Sequence, residues 1–540
     1  MFLGTPFLMT LCYLAAMNFG LLIFTSPRRV PTLAATLNFR GGMVSKNGLQ
    51  ALLLILLFCI GPAYSSAQVF DLNNTCQKAY KEIIQLKLEK GQVLLDEEKR
   101  NHPDNIIPYF LENYIDFFVL FFNEDPIEYN KRIGNLEKRI ELINKGSEKS
   151  PYFLFTKSVI HFQWAAVRIK FGYNWDAGWE LRRAYLQIKE NMNLFPSFTP
   201  NKVFYGAMEV AVGTIPEGYK WLSNLMGMKG NIKSGMERLD SFLQNNELFS
   251  QLYHDEAVFY YLYLKFYMEN DKDGVFQYIK KEKLDVRNNH LLTYLAVNLS
   301  INNQQSEYAR RILLERNTSS DYLSTSAWDL EMGYITITHL EADAGKYFER
   351  FIKNFKGKFY LKDALQKLSW HYYLQGNQVQ ADYTRRLIAT KGSTDTDADQ
   401  QAAKEARTGK WPNKLLLQAR LLNDGGYHLE ALRLLQGKKS TDFYVTEEKL
   451  EFAYRVGRIY DDLGREEEAI LFYKQSIFLG ENKKEYYAAR AALHIGYIYE
   501  KNEEKPTAIV WFNRCLNMKE HDFKNSLDQR AKAGIERCQQ

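Results

Sequence analysis

From about residue 70 onward, apolar positions recur at intervals of three and four, and almost no stretch alternates with period two. Such spacing lays the apolar side chains along one stripe of a helix, so it predicts an all-α chain. Cys76 to Leu95 reads as one helix and Ile106 to Phe122 as another. Residues 151–196 read as a helix pair, with Ala177, Leu181 and Ala184 at the spacing of its second member. Further pairs are expected over 254–390, where Leu368, Tyr372, Gly376 and Ala381 keep a common register and Trp328, Gly333, Ala344 and Phe348 follow it less closely. The pattern breaks over Lys391 to Lys410, read as a polar linker (391–411) with a short helix from Asp399 to Arg407. A polar helix from about Asn525 to Cys538 is expected to cap the array.

Two C-terminal segments match residue type for residue type at a separation of 39 positions. Gly457, Tyr460, Ala469, Tyr473 and Ser476 correspond to Gly496, Tyr499, Ala508, Phe512 and Cys515, and Gly426, Ala431 and Leu435 give a weaker third copy. Small residues at these places let two antiparallel helices touch, and aromatics fill the gap beside them. Repeats start near Pro412, Leu450 and Ala489, in steps of 38 and 39, longer than the usual 34 or so because of longer turns between pairs. Pro412 suits a first helical turn, where no backbone donor is needed.

On these residues the chain resembles the tetratricopeptide-repeat superfamily. A second likeness covers roughly residues 150–390. Tyr205-Gly206, Ile215-Pro216 and the run from Leu225 through Gly227, Gly230 and Gly235 to Leu239 are similar to the tetratricopeptide-repeat protein 39 and inclusion-body-clearance family. Asn231 stands where that family has an acidic residue. The whole chain also resembles large exported repeat proteins of Bacteroidetes-type bacteria. These resemblances imply an α-solenoid of antiparallel helix pairs that binds proteins, and they bring no catalytic site. The expected organisation is an N-terminal helical region (68–250), repeat-like pairs (251–390), the linker, and a C-terminal array with its cap (412–540).

In the resembled fold, positions 2, 5, 9 and 12 of each repeat face the binding groove. They are Glu451, Tyr454, Arg458 and Asp461 in one repeat and Arg490, Leu493, Tyr497 and Glu500 in the next. Tyrosine, arginine and carboxylate together suit a peptide or protein surface. The Lys/Asn pattern of carboxylate-clamp repeats is absent.

Charge narrows the partner class. The formal charge of +6 includes Arg28, Arg29, Arg40 and Lys46 in an acid-free leader, and without them 66 basic face 64 acidic side chains. No basic stripe of the kind nucleic-acid binders use is visible. Leu49 to Ile60 is a short apolar run preceded by Lys46 and followed by Ser65 and Ala67, which reads as a secretory signal (43–67) starting at Met43 and cleaved before Gln68. Residues 1–42 then stand upstream of the true start. The alternative is a membrane span over residues 2–25, held by Arg28 and Arg29. Cys59 lacks the small residues that precede a lipid-anchored cysteine, and Cys76, Cys515 and Cys538 make no disulfide framework.

Candidate chemistry is thin. Gly227 to Ser234 resembles a phosphate loop, but Ile232 replaces the glycine required before the lysine. Asp395, Asp397 and Asp399 alternate like a calcium loop whose sixth and twelfth positions are Gln400 and Ala406, so helix capping is the plainer reading. The nine histidines form no zinc motif, and His371 is expected to be a packed residue. No cofactor or metal is expected. The sequence thus points to an exported, non-enzymatic adaptor with protein partners in a cell-envelope assembly. The alternative is a carbohydrate- or nutrient-binding accessory of an outer-membrane transporter, and a third reading is an all-α enzyme near His371 or the Gly227–Gly235 turn.

Overall fold

The computed structural model describes residues 68–539 except 216–222 and 224–225. The signal at 43–67, the stretch 2–25, Cys59, Pro216 and Leu225 therefore lie outside the described residues. Among those described, no helix is long and apolar enough to cross a membrane. The fold is all-α, a solenoid of antiparallel helix pairs, and it divides into two compact units.

The N-terminal unit holds residues 68–121 and 127–264 of the described chain. It begins with α1 (Asn74–Ile84) and α2 (Leu88–Asn101). The single helix expected over Cys76 to Leu95 is thus two. Leu86 takes a left-handed backbone (φ 65°) and reverses the chain. Both helices keep the same apolar spacing, so the break is silent in the pattern. Gly91 makes the hairpin possible, since a Cβ there would lie 2.3 Å from Ile83 Cγ1. Then come α3 (Ile107–Asn123), α4 (Pro126–Arg132), α5 (Asn135–Ile143), α6 (Pro151–Lys170) and α7 (Asn174–Leu194). Ser150 caps α6 and Pro151 opens it, as the rules for a first turn require. Ala177, Leu181 and Ala184 face inward as expected.

The unit continues with α8 (Asn201–Gly213), α9 (Ile232–Leu243), α10 (Leu248–Leu252) and α11 (His254–Leu264). Here the glycine run finds its physical role. A Cβ on Gly235 would come 2.6 Å from the carbonyl oxygen of Gly206, and one on Gly230 would come 2.0 Å from the Gly213 nitrogen. The glycines let backbone meet backbone between α8 and α9, and Asn231 caps α9 by accepting from Ser234 N–H at 2.8 Å. The core is aromatic: Phe155 meets Phe110, Phe198, Phe204 and Tyr253 edge to face.

The C-terminal unit holds residues 122–126 and 265–539 of the described chain. A π-helical turn (Lys265–Glu269) precedes α12 (Lys272–Lys281). The pairs α13 (His290–Asn302) with α14 (Ser306–Glu315), α15 (Ala327–Thr338) with α16 (Ala344–Asn354), and α17 (Leu361–Leu374) with α18 (Gln378–Thr390) follow. Next is α19 (Asp397–Arg407), then the pairs α20 (Lys414–Asp424) with α21 (His428–Leu435), α22 (Thr446–Asp462) with α23 (Glu466–Gly480), and α24 (Tyr487–Lys501) with α25 (Lys505–Asn517). The last helix is α26 (Lys524–Gln539).

One contact recurs within these pairs: a glycine on the first helix seats an aromatic of the second. A Cβ on Gly333 would come 2.8 Å from the Phe348 ring, one on Gly457 2.7 Å from Tyr473, and one on Gly496 2.5 Å from Phe512. Gly534 of α26 presses on the other side of Phe512, also at 2.5 Å, which is how the last helix covers the final pair.

The polar stretch 391–411 holds α19 and packs into the array. Ala398, Ala402 and Ala403 are buried, and Thr396 caps the helix by accepting from Asp399 N–H. Asp399 is itself fully buried and accepts the Tyr360 N–H at 2.7 Å and the Asp363 N–H at 3.0 Å, both at the start of α17. Its carboxylate serves a helix N-terminus, the capping role preferred over calcium. Among the described residues, no group of His, Cys, Asp and Glu could hold a metal ion.

Candidate functional site

The first helices α20, α22, α24 and the capping α26 carry a dense row of arginines, carboxylates and rings. Within α22, Arg455 grips Glu451 one turn back at 2.9 Å, and Arg458 bonds Asp462 at 2.9 Å and Asp461 at 3.5 Å. Arg420 stands 3.7 Å from Asp424 in α20, the same i, i+4 relation.

These groups also reach across helices. Asn423 of α20 donates to Asp462 of α22 at 2.8 Å, and Gln304, in the turn after α13, donates to the same oxygen at 3.0 Å. His494 of α24 sits 3.5 Å from Asp461 and 3.3 Å from Arg458, with its ring stacked on Tyr473. Tyr473 donates its hydroxyl to Asp461 at 2.8 Å. Arg537 of α26 clasps Glu500 of α24 with two parallel bonds of 2.7 and 2.9 Å. Each first helix is therefore tied to the next by a polar rung: Asn423–Asp462, Asp461–His494 and Glu500–Arg537.

Arginine also meets aromatic faces here. The Tyr454 ring lies 5.6 Å from the Arg455 guanidinium and 5.9 Å from that of Arg490, and the Trp370 ring lies 5.0 Å from Arg420. Burial and then the charge of Arg458 push His494 down to about 4, outweighing Asp461, so the ring is neutral at pH 7. Arg530 of α26 is lowered to about 10, first by burial and then by Arg490.

Of the eight sequence-predicted groove residues, the fold gathers Glu451, Arg458, Asp461 and Arg490 into this cluster, all half-buried. Tyr497 and Glu500 lie further along α24, beside Phe512 and Arg537 respectively. Tyr454 and Leu493 are each 1 % exposed and belong to the packed interior. Helix α24 covers Tyr454, whose ring is 5.3 Å from Tyr487 and 6.4 Å from Tyr486. A large ring at that position is buried by the next first helix, which leaves arginine heads to form the surface.

Position counting missed Arg420, Asp424, Arg455, Asp462, His494 and Arg530. A signal for some of them is present. Arg420, Asn423 and Asp424 stand 38 residues before Arg458, Asp461 and Asp462, which is the repeat step itself. His371 is half-buried against Gly345, and burial lowers its pKa. The Gly227–Gly235 turn gathers no ionisable cluster among its described residues; Tyr185 of α7 donates to its backbone carbonyl at Lys229, and Arg182 to that of the preceding Met226.

Comparison with known proteins places one repeat directly. The family model for the tetratricopeptide repeat matches residues 450–477, which span most of α22 and α23. No curated protein matches the chain. Among solved structures, the chain is similar to the crystal structure of the P58(IPK) TPR domain, at 15% identity over 76% of this chain and 95% of that one, with a TM-score of 0.21. It is also similar to the crystal structure of the APC/C hetero-tetramer Cut9-Hcn1, at 13% identity over 88% of this chain and all (100%) of that one, with a TM-score of 0.23.

Proposed function

We propose that this protein is a non-enzymatic scaffold that binds a protein partner along the first helices α20, α22 and α24 and the capping α26. The observation that carries the reading is the row of half-buried Arg420, Arg458 and Arg490 set among tyrosine, tryptophan and carboxylate groups on successive helices. Arginine beside aromatic rings is the residue chemistry over-represented where protein interfaces concentrate their binding energy. Asp461 and Asp462 hold Arg458, and Asp424 stands beside Arg420, so these guanidinium groups are oriented before a partner docks and less entropy is lost. With a signal over 43–67, the partner belongs to a cell-envelope assembly.

The test is a pull-down from envelope extract with the native chain and with Arg420→Glu and Arg490→Glu variants that keep the native melting temperature. A partner held by the native chain and lost by both variants supports the reading. Retention by both moves the binding surface elsewhere, and no partner at all removes the scaffold function. Sequencing the mature N-terminus tests export separately: a start at Gln68 is expected.

A second reading has one observation of its own. Tyr173, Trp175 and Trp179 at the start of α7 are exposed, with the two indoles edge to face at 6.1 Å, the aromatic platform that a carbohydrate-binding accessory requires. A glycan array separates the two: binding lost in Trp179→Ala favours the carbohydrate role.

A further inference from the structure

Helix α19 lies across the arginine row. Glu405 accepts from Trp370 Nε1 at 3.1 Å, and the Trp370 ring carries the Arg420 guanidinium of α20 at 5.0 Å. The residue before it, Lys404, reaches the turn between α25 and α26. There it pairs with Asp522 at 2.5 Å and stands 5.4 Å over the Phe523 ring. Phe523 meets Tyr486 edge to face at 5.2 Å, and the Arg490 guanidinium of α24 lies 5.8 Å from the Tyr486 ring. Two adjacent residues of α19 thus lead to Arg420 on one side and Arg490 on the other, with α22 and its Arg458 between them in the array.

The two sides of α19 are held unequally. Toward α17, Ala398, Ala402 and Ala403 are buried and Asp399 accepts two backbone amides. Toward α26 the contact is made by an ion pair whose side chains are 50 % and 39 % exposed, and by Lys404 over a ring that is itself exposed. An ion pair in contact with water is weak and is screened by salt. In a repeat array each pair packs chiefly on its neighbours, so small rotations from α20 to α25 add up at this closing contact.

We propose that α19 is a strap over the partner surface and that the Lys404–Asp522 pair is its latch. With the latch closed the row is covered; with it open a partner reaches Arg458 and Arg490. The strap keeps its seat on α17 in both states, and the α24–α26 end of the array moves away from it. This inference rests on the partner surface proposed above and assigns how access to it is controlled.

Phenylglyoxal, which modifies accessible guanidinium groups, tests the latch with no partner present. Peptide mass spectrometry follows Arg458 and Arg490, with the exposed Arg311 of α14 as reference. Lys404→Glu sets two carboxylates against each other. It is expected to speed modification of Arg458 and Arg490 at least about threefold relative to Arg311, with an unchanged melting temperature. Lys404→Glu combined with Asp522→Lys reverses the pair and should return both rates to native. In a chain carrying Lys404→Cys and Asp522→Cys, a short bismaleimide bridge should slow both below native. Equal rates in the native, Lys404→Glu and bridged chains overturn the latch, as does an acceleration shared by Arg311. Undiminished partner capture by the bridged chain overturns it as well. The two proposals fail separately. A partner lost by Arg420→Glu and Arg490→Glu, with labelling indifferent to the latch, keeps the scaffold and removes this inference. A working latch on a chain that captures no partner removes the scaffold.

Discussion

Asn423 donates its side-chain N–H to Asp462 across 2.8 Å, joining one helix pair to the next. The same carboxylate also holds Arg458 and Gln304. Removing it leaves three donors without their acceptor in a partly buried place. Asp462→Ala is expected to cost about 2 kcal/mol, read as a lower urea midpoint with an unchanged slope. An unchanged midpoint would mean that the rung contributes nothing to the array.

Glycines of the first helices should sort by what their missing Cβ would strike. Gly457→Ala and Gly496→Ala drive a methyl into the rings of Tyr473 and Phe512, an overpacking cost of about 1–3 kcal/mol each. Gly134 precedes α5 with an ordinary backbone and nothing within 4 Å of an added Cβ. Gly134→Ala should be neutral, or stabilising by up to about 1 kcal/mol. Thermal melts of the three variants decide it, and equal losses at all three sites would refute the packing argument.

Glu256 makes stability depend on pH. It is buried beneath the hydroxyls of Tyr80, Tyr114 and Tyr260, at 2.6, 3.1 and 3.3 Å, with Tyr253 packed on Tyr80. Burial raises its pKa from 4.5 to about 7, and the three hydroxyl bonds offset part of that rise. The folded chain therefore holds a proton that the unfolded chain has lost between those values. Stability should fall as pH rises through that window and level off above it. At about 1.4 kcal/mol per pH unit, this single group is worth at most about 3 kcal/mol. Glu331 and Asp399 in the C-terminal unit, each raised to about 7 chiefly by burial, act in the same direction. Glu256→Gln should flatten part of the slope and be more stable than the native chain at pH 8. A native midpoint independent of pH from 5 to 8 would contradict it.

Cys76 and Cys515 should resist alkylation. Both are fully buried, and burial first, with nearby carboxylates second, pushes each thiol up to about 12. The reactive thiolate is then scarce at pH 8. Iodoacetamide followed by peptide mass spectrometry should label neither in the folded chain and both in guanidinium. Rapid labelling of Cys515 in the folded state would place it outside the α24–α25 contact.

Asp399 ties α19 to the start of α17, and its loss should be felt there. Asp399→Ala removes the acceptor of the partly buried Tyr360 amide and of the buried Asp363 amide and Thr396 hydroxyl. A loss of about 2 kcal/mol is expected, with faster amide exchange at the first turn of α17. Exchange confined to α19 would show that the cap is local.

Some of this structure was legible in the chain and some was not, for identifiable reasons. The 39-residue recurrence located α22 to α25 because a Gly–aromatic contact inside a pair leaves a fixed spacing. The reversal at Leu86 left no mark, because α1 and α2 keep one apolar period across the turn and no glycine or proline announces it. The residues chosen by repeat position fall into two environments. Glu451, Arg458, Asp461 and Arg490 stand half-buried in one polar cluster, whereas Tyr454 and Leu493 lie in the interior, Tyr454 beneath α24. The capping role weighed for Asp397 and Asp399 was visible as a residue type, but its target was not, since Tyr360 lies 39 residues away.

The sequence alone determined that the chain is helical, that its helices pair, and where the last pairs begin. Those properties rest on local periodicity and on small residues at fixed intervals. Tertiary structure decided which polar residues meet. Asn423 with Asp462, His494 with Asp461, and Asp116 with Arg139 are brought together by packing between helices, and no spacing rule fixes the rotation of one helix against another. The physical reason is the range of the interactions: helix formation is settled within a few residues, while a buried charge is settled by whichever distant partner the packed helices place beside it.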